Sequence, residues 1–472
     1  MTCMEKGRSE SSLSHVFRAY DVRGILKTEL TSDFAQKLGS VFGSYLEQTG
    51  PILVSRDVRV GGEMLESSFA EGAAAVGRDI LVLGQVPISA ASFATLKGQF
   101  AAGVYITASH NPPEYNGFRF RHPDGTGYST ENDEIRDRYF TAADHIRVGR
   151  KGTIKNAPRV EILRKYGNLL TQELHKRRLR IAVDAGNGSA SGIVTETLRK
   201  LGHDVIALYD EPDGRFPNRS PHNKDSEIGE VKRTVVERGC DFGVAFDGDG
   251  DRGVIIDEKG RSCQAEKIIV VLGKYGKVRR KRIVANISCS MLVEKELQPL
   301  GWEVHRCRVG DVFMSEAIKE HRASLGVEIS SHFFMSDYYA FDDAILAFVK
   351  FAGVLSSLGK KVSTLMDEIT SYPYEQIFVP CTDATKFQVT KTLGTQLKET
   401  GQQPSFMDGV WVGDDNGWIL VRPSNTESYV KVSVEAVNEE TLQAKRRAIL
   451  TELETAMTKF GQKVSTIEAK MA

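Results

Sequence analysis

Cysteine is sparse and unpatterned in this chain. Its six cysteines (Cys3, Cys240, Cys263, Cys289, Cys307, Cys381) are scattered over 472 residues with no CxxC pair. That excludes a thiolate zinc site and a disulfide framework, and points to a reducing compartment. Charge of one sign is not in excess either. The 62 basic residues balance 62 acidic ones, which argues against nucleic acid or a membrane surface as partner. No apolar run approaches the ~18 residues of a membrane span. The opening MTCMEKGRSESSLSH has no apolar centre and does not read as a secretory signal. The expectation is a cytoplasmic protein with a loose N-terminal tail of roughly fifteen residues.

What is present is a repeating α/β pattern. A chain of 472 residues is too long for one core and predicts three or four domains. Apolar positions at helical spacing predict a helix over 32–47, capped by Thr31 or Ser32. A strand at 52–55, a helix at 65–76 and strands at 80–83 and 104–106 follow, which implies a mostly parallel sheet. A basic, glycine-containing stretch marks a boundary near 150 and precedes a helix over 159–174. The pattern then restarts with strands at 181–183 and in DVIALY, CDFGVAF and GVIID, and a helix over 227–238. A third unit holds RIVANIS, EVHRCRV and ASLGVEI. The units suggest internal duplication, although their sequence similarity is weak. Residues 373–472 read as a smaller α+β domain with strands at 418–421 and 429–435 and a helix over 440–460.

Four loops carry the chemistry. In AAGVYITASHNPPEYNG a short buried strand delivers Ser109 to its carboxyl end, where α/β folds bind ligands. Asn111-Pro112-Pro113 stops regular structure there, and Asn116-Gly117 predicts a further turn. In FDGDGDR, Asp247, Asp249 and Asp251 crowd three carboxylates between glycines. Such crowding needs a counter-charge, and oxygen-only ligands select a hard divalent cation. An EF-hand loop would need glycine at its sixth position, where Arg252 stands, and helices rather than strands as flanks. GVEISSH ends a buried strand in Glu328, Ser330 and His332, groups suited to sugar hydroxyls. In RPSNTE, Arg422, Ser424, Asn425 and Thr426 are good phosphate ligands. FRAYDVRG, with Tyr20 and Arg23, reads on its own as an edge strand.

These loops, in this order, resemble the α-D-phosphohexomutase superfamily, and within it the phosphomannomutase/phosphoglucomutase branch. The resemblance spans about residues 15–460. It implies three similar mixed α/β domains (1–150, 151–257, 258–372) and a C-terminal α+β domain (373–472) around a central cleft, one loop from each. Ser109 would carry a phosphoryl group. Ser109, Asp247, Asp249 and Asp251 would bind Mg²⁺, with Arg252, Arg23 and His110 nearby. The implied reaction interconverts hexose 1-phosphate and hexose 6-phosphate, of mannose, glucose or both, through a hexose 1,6-bisphosphate. Tyr20, Glu328, Ser330, His332 and the Arg422 loop would bind substrate. A monomer or small homo-oligomer would suffice.

Three positions depart from the family pattern. Arg119 stands where relatives usually have lysine, and a guanidinium essentially cannot act as a base. Asp311 is the candidate replacement. Ser331 stands in place of a glycine, and Ser288 where some relatives carry lysine. All three lie on the sugar side, leaving open a mutase for an amino-sugar or pentose phosphate, or a non-catalytic sugar-phosphate-binding relative.

Overall fold

The structure, a computed structural model, describes residues 13–141, 151–424 and 428–462. Among the described residues, 18 strands form four sheets. The first takes β1 (Val22–Ile25), β2 (Ile52–Arg56), β3 (Ile80–Gln85), β4 (Ala102–Ile106), β5 (Tyr115–Arg121) and β6 (Ile154–Asn156), in the order β1-β5-β4-β2-β3-β6. The second takes β7 (Arg180–Asp184), β8 (Asp204–Leu208), β9 (Phe242–Phe246) and β10 (Gly253–Asp257), in the order β10-β9-β7-β8. The third takes β11 (Arg282–Asn286), β12 (Glu303–Cys307), β13 (Leu325–Val327) and β14 (Phe333–Met335), in the order β12-β11-β13-β14.

The three sheets share one plan, which sequence similarity alone was too weak to display. A central strand (β2, β7 or β11) is flanked on both sides by parallel strands. The last parallel strand then turns back into an antiparallel fourth. Three loops therefore occupy the same place in three copies: 107–114 between β4 and β5, 247–252 between β9 and β10, and 328–332 between β13 and β14. The fourth sheet is entirely antiparallel: β15 (Tyr374–Pro380), β16 (Val410–Asp414), β17 (Gly417–Pro423) and β18 (Tyr429–Ala436), in the order β15-β18-β17-β16.

Several expectations need correction. Asn116 and Gly117 lie inside β5, not at a turn. Gly117 is there because a Cβ would meet the carbonyl oxygens of Val22 at 2.2 Å and Thr107 at 2.6 Å. The first sheet is mostly parallel as expected, with β5 alone running antiparallel to its neighbours β1 and β4. It also reaches past residue 150, because β6 pairs with β3. Part of the expected tail lies outside the described residues, but Ser14–Val16 already forms a 3₁₀ turn with Val16 fully buried. The helix Ser32–Tyr45 starts as expected, with the Thr31 side chain accepting from Phe34 N. The helices Ile88–Lys97 and Glu131–Thr141 were not anticipated.

The first three units share a core in which Leu53 and Phe93, Val183 and Phe242, and Ile283 and Phe348 belong to one cluster. Asp343 pins them together. It caps the helix Ala344–Leu358 and accepts from Tyr166 at 2.9 Å, which in turn bonds Ser89 at 3.0 Å. The C-terminal unit has its own core. It meets the third unit through a small cluster of Ile287, Met291, Trp418 and Leu420.

Two histidines tie the second unit together. His203 Nδ1 accepts from Leu179 N at 3.1 Å, so its proton sits on Nε2 and faces His175 Nδ1 at 2.6 Å. Burial, then His203, push His175 down to about 4. A folded value below the unfolded one means that the unfolded chain takes up protons first as pH falls. This stability is complete above about 6.5 and is lost as pH drops through about 4. The thermal midpoint of the wild type should therefore fall more steeply between pH 6.5 and 4 than that of His175→Asn; parallel calorimetric profiles would contradict this.

Candidate active site

Ser109 sits just past the end of β4, 1% exposed, with a left-handed backbone at φ +51°. A non-glycine residue there is strained by on the order of 1–3 kcal/mol, so its surroundings must enforce it. Thr107 Oγ1 accepts from Ser109 N at 2.7 Å. Arg59 Nη2 donates to Ser109 O at 2.6 Å. The Ser109 hydroxyl points at the metal loop and donates to Asp247 Oδ2 at 3.3 Å, with His110 Nδ1 at 3.2 Å. Burial, then Arg252 and Arg23, lower the His110 imidazole and keep it neutral. Arg23 donates to Ala108 O at 3.3 Å and to Asn111 Oδ1 at 2.9 Å.

Asp247, Asp249 and Asp251 follow β9 and converge, with one carboxylate oxygen from each inside a 4.8 Å group. All three are buried. Gly248 lets the loop approach, since a Cβ there would meet Ser109 O at 2.7 Å. Burial, then Asp251 and Asp249, push Asp247 well above the usual carboxylate range, and burial, then Asp251, carry Asp249 up to about 6 against the pull of Arg119. Burial acts the same way on Asp251, but His332, Arg252 and Arg119 outweigh it and hold that carboxyl well below its ordinary value. Asp249 Oδ1 and Asp251 Oδ1 are buried without a hydrogen-bond partner among the described residues. Orphaned oxygens and mutually repelling carboxylates fit a hard divalent cation.

Arg119 joins three units. Its guanidinium, carried on β5, donates to Asp251 at 3.2 Å and to Asp311 of the third unit. Arg121 lies 3.7 Å from the same Asp311 oxygen. Burial would raise Asp311, but the two guanidiniums lower it and keep it ionised. Tyr20 packs edge-on against Phe313, beside the Gly310–Asp311 turn.

The sugar loop is tied to the metal loop. Arg252 and His332 form a backbone bridge, and Arg252 Nε lies 3.1 Å from His332 Nε2. His332 approaches Asp251 at 3.5 Å, Glu328 at 3.0 Å and Asp342 at 3.7 Å. Burial opposes its charge, but Asp251 and Glu328 carry it well above the ordinary imidazole range. Glu328 is buried and accepts from Asn286 at 3.1 Å and from Gly310 N at 2.8 Å, while Ser330 is exposed. Ser331 has φ +67°, the conformation that a glycine would adopt freely.

Arg422 pairs with Asp408 at 3.2 Å, and Asp408 accepts from Val309 N at 3.1 Å. The fourth loop is thereby linked to the turn that carries Asp311. Ser424 N donates to Tyr429 O at 3.0 Å; Asn425 and Thr426 lie outside the described residues. Sequence reading missed Asp57, Arg59, Arg121, Asp342 and His222, whose ring packs edge-on to that of His110 at 4.8 Å. The available signal for the first two was Asp-x-Arg at the carboxyl end of a strand, in SRDVRVGG.

Four family models match in chain order: phosphoglucomutase/phosphomannomutase alpha/beta/alpha domain I over 14–145, domain II over 160–260, domain III over 264–372 and the C-terminal domain over 379–452. A probable phosphoglucosamine mutase of Methanococcoides burtonii is 33% identical over 89% of this chain and 95% of its own. A phosphoglucomutase/phosphomannomutase of Thermococcus kodakarensis is 32% identical over 91% of this chain and 96% of its own. A phosphoglucomutase/phosphomannomutase family protein from Burkholderia thailandensis shares the fold at TM-score 0.85 and 24% identity, over 94% of this chain and 98% of its own.

The crowded carboxylates make an expectation about metal binding. In chelator, Asp249→Asn should unfold no earlier than wild type, because it removes one of three buried like charges. With Mg²⁺ at about 100 times its Kd, wild type should gain about 2.7 kcal/mol and the variant much less. Calorimetry with and without Mg²⁺ checks both; an equal gain in the variant would place the ion elsewhere.

Proposed function

This chain belongs to the phosphoglucomutase/phosphomannomutase family of the α-D-phosphohexomutase superfamily, and we propose that it moves a phosphoryl group between C1 and C6 of a hexose phosphate in the cytoplasm. The observation that carries the reading is the Ser109 hydroxyl, held by a strained loop and aimed at Asp247 of the carboxylate cluster at 3.3 Å.

In the forward direction the P–O bond of phospho-Ser109 breaks as a new P–O bond forms to the free hydroxyl of hexose 1-phosphate. The hydroxyl gives up its proton, and Ser109 keeps its Oγ, which takes up a proton as the P–O bond breaks. The resulting hexose 1,6-bisphosphate reorients and returns its other phosphoryl group to Ser109. Mg²⁺ held by Asp247, Asp249 and Asp251 would supply charge stabilisation to the transferring group. Arg23, Arg252 and Arg119 add fixed positive charge beside Ser109 and the cluster. Arg119 cannot take the hydroxyl proton, and Asp311, ionised beside it, is the acceptor we assign. Arg422, Ser424, Asn425 and Thr426 grip the phosphate that is not reacting, while Ser330 and Glu328 meet sugar hydroxyls.

Mannose or glucose phosphate is the leading substrate. An amino-sugar phosphate is the second reading, favoured by a pocket of about 180 Å³ beside the sugar loop. Ser288, Ser331, Tyr374 and Trp418 line it, with the buried carboxyls of Glu266 and Glu435. The pocket offers acidic and aromatic groups where some relatives bring a lysine, a setting that suits a substrate ammonium.

The test is a panel of hexose and hexosamine 1-phosphates with a trace of the matching 1,6-bisphosphate, read as kcat/KM. Ser109→Ala should lose nearly all turnover and take no label from labelled bisphosphate. Normal turnover in that variant would end the proposal, and the panel's ranking decides between the two substrates.

A further inference from the structure

We infer that Arg59 is a positioning residue for phosphoryl transfer: its guanidinium, locked to Asp57, holds the carbonyl groups of the Ser109 loop so that the strained serine faces the carboxylate cluster. This rests on the reaction proposed above, and it concerns a residue outside the four sequence loops that carry that reaction.

Arg59 follows β2, and its side chain is fully buried. Its Nη2 donates to Ser109 O at 2.6 Å and Asn111 O at 2.5 Å. Its Nη1 donates to Pro112 O at 2.7 Å and Tyr115 O at 3.1 Å. Four carbonyls converge on one planar group because the left-handed turn at Ser109 and the two prolines take residues 109–112 out of the sheet ladder, while Tyr115 stands at the very start of β5. Buried carbonyls without partners are costly, and among side chains only a guanidinium offers enough fixed donors in one plane.

The other half of Ser109 is held by the same device. Asp57 Oδ2 lies 3.2 Å from Arg59 Nε and accepts from the Thr107 hydroxyl at 2.7 Å. Thr107 Oγ1 in turn accepts from Ser109 N at 2.7 Å. Both peptide groups flanking the Ser109 Cα are thus fixed through one ion pair, which sets the direction in which Cβ carries Oγ toward Asp247 and His110. Asp249 Oδ2 is 3.1 Å from the Thr107 hydroxyl, so the metal loop reads the same geometry.

Arg59 also reaches into the second unit. Its backbone bridges to Gly214, and its guanidinium lies 5.3 Å from the centre of the Phe216 ring. That ring would be 3.4 Å from a Cβ at Gly248, in the metal loop. The serine loop and the carboxylate loop are therefore aligned against a common support.

Arg59 touches neither the Ser109 hydroxyl nor the carboxylate cluster. Its loss should therefore appear in kcat and spare KM. Displacement of a reacting group by about 1 Å can cost on the order of 10²-fold. Arg59→Lys, which keeps the charge and loses the fork, should lower kcat by about 10- to 100-fold. KM for the hexose 1-phosphate should stay within about twofold, because the opposite loop grips the substrate phosphate. In Arg59→Ala, millimolar guanidinium should restore part of kcat, and an equal concentration of ammonium should not. Amides at 108–117 should exchange faster with solvent in Arg59→Lys than in wild type, a readout that needs no turnover. Wild-type kcat in Arg59→Lys, or unchanged exchange together with no guanidinium rescue, would overturn the role. If wild type turns over no sugar phosphate while the exchange difference appears, the reaction assignment fails and the loop-holding role of Arg59 stands.

Discussion

The cleft depends on a balance of buried charge. Asp57, Asp247, Asp249, Asp251, Asp311, Glu328 and Asp342 are all buried where the first three units meet, and Arg23, Arg59, Arg119, Arg121 and His332 are buried among them. An unpaired ion in such a place costs several kcal/mol. Each carboxylate therefore has to be met by a guanidinium, a set of backbone N–H groups or a cation from solution. Asp57, Asp311 and Glu328 are met within the protein. Asp247, Asp249 and Asp342 are met least, and burial raises all three; at the first two, which share a cluster with Asp251, a divalent ion would supply the missing charge. The deficit of positive charge on the metal side and the arginines around the serine loop are two halves of one arrangement. A doubly charged phosphoryl group, as the proposed reaction requires, could be accommodated beside Ser109 only because both are present.

The repeated sheet plan explains why three unlike loops end up together. Each one closes the hairpin between the last parallel strand and its antiparallel partner, so the fold sends all three toward the same region. These loops were legible in the sequence because each packs its chemistry into a few consecutive residues: a serine before two prolines, aspartates alternating with glycines, a strand ending in Glu, Ser and His. Arg59 was not legible, because its meaning lies in carbonyls some fifty residues away in the chain. Arg121 was hidden for the same reason, since its partner Asp311 comes from the third unit, and Asp342 because it meets His332 only once the third unit has folded. Asn116-Gly117 misled because a local turn signal was overridden by pairing on both sides, with β1 and β4. The duplication itself was visible only as a rhythm of elements, since what the three copies hold in common is strand order and not side chains.

The departures on the sugar side also have a physical logic. A lysine at position 119 would offer a point charge; the arginine offers a planar fork, and both prongs are used, one on Asp251 and one on Asp311. The substitution trades a group that can shed a proton for one that fastens the metal loop to the third unit. Asp311 is then the residue to which the proposed reaction assigns acceptor chemistry at that corner. Ser331 keeps the left-handed turn that a glycine would adopt without strain, and its carbonyl accepts from Gly253 N at 3.3 Å, just beyond the metal loop. The sugar loop is thus anchored at its backbone while Ser330 stays open to solvent.

The C-terminal unit is attached differently from the others. Three α/β units share a continuous core, whereas the fourth holds on through one small apolar cluster and a few polar links. Glu435 accepts from Met291 N at 2.8 Å and from Trp418 Nε1 at 2.7 Å, and Asp408 accepts from Val309 N. Interfaces of that kind are the ones along which domains move. A bisphosphate that must present first one end and then the other to Ser109 needs a cleft that shields it from water during transfer and loosens between transfers. The shared core surrounds Ser109 and the aspartates, where the proposed reaction would hand over the phosphoryl group. Compliance is left to the unit that carries Arg422, which in that reaction would grip the far end of the substrate. The division follows from the packing: a fixed donor geometry requires the shared core, and an exchange of substrate ends requires that one wall not belong to it.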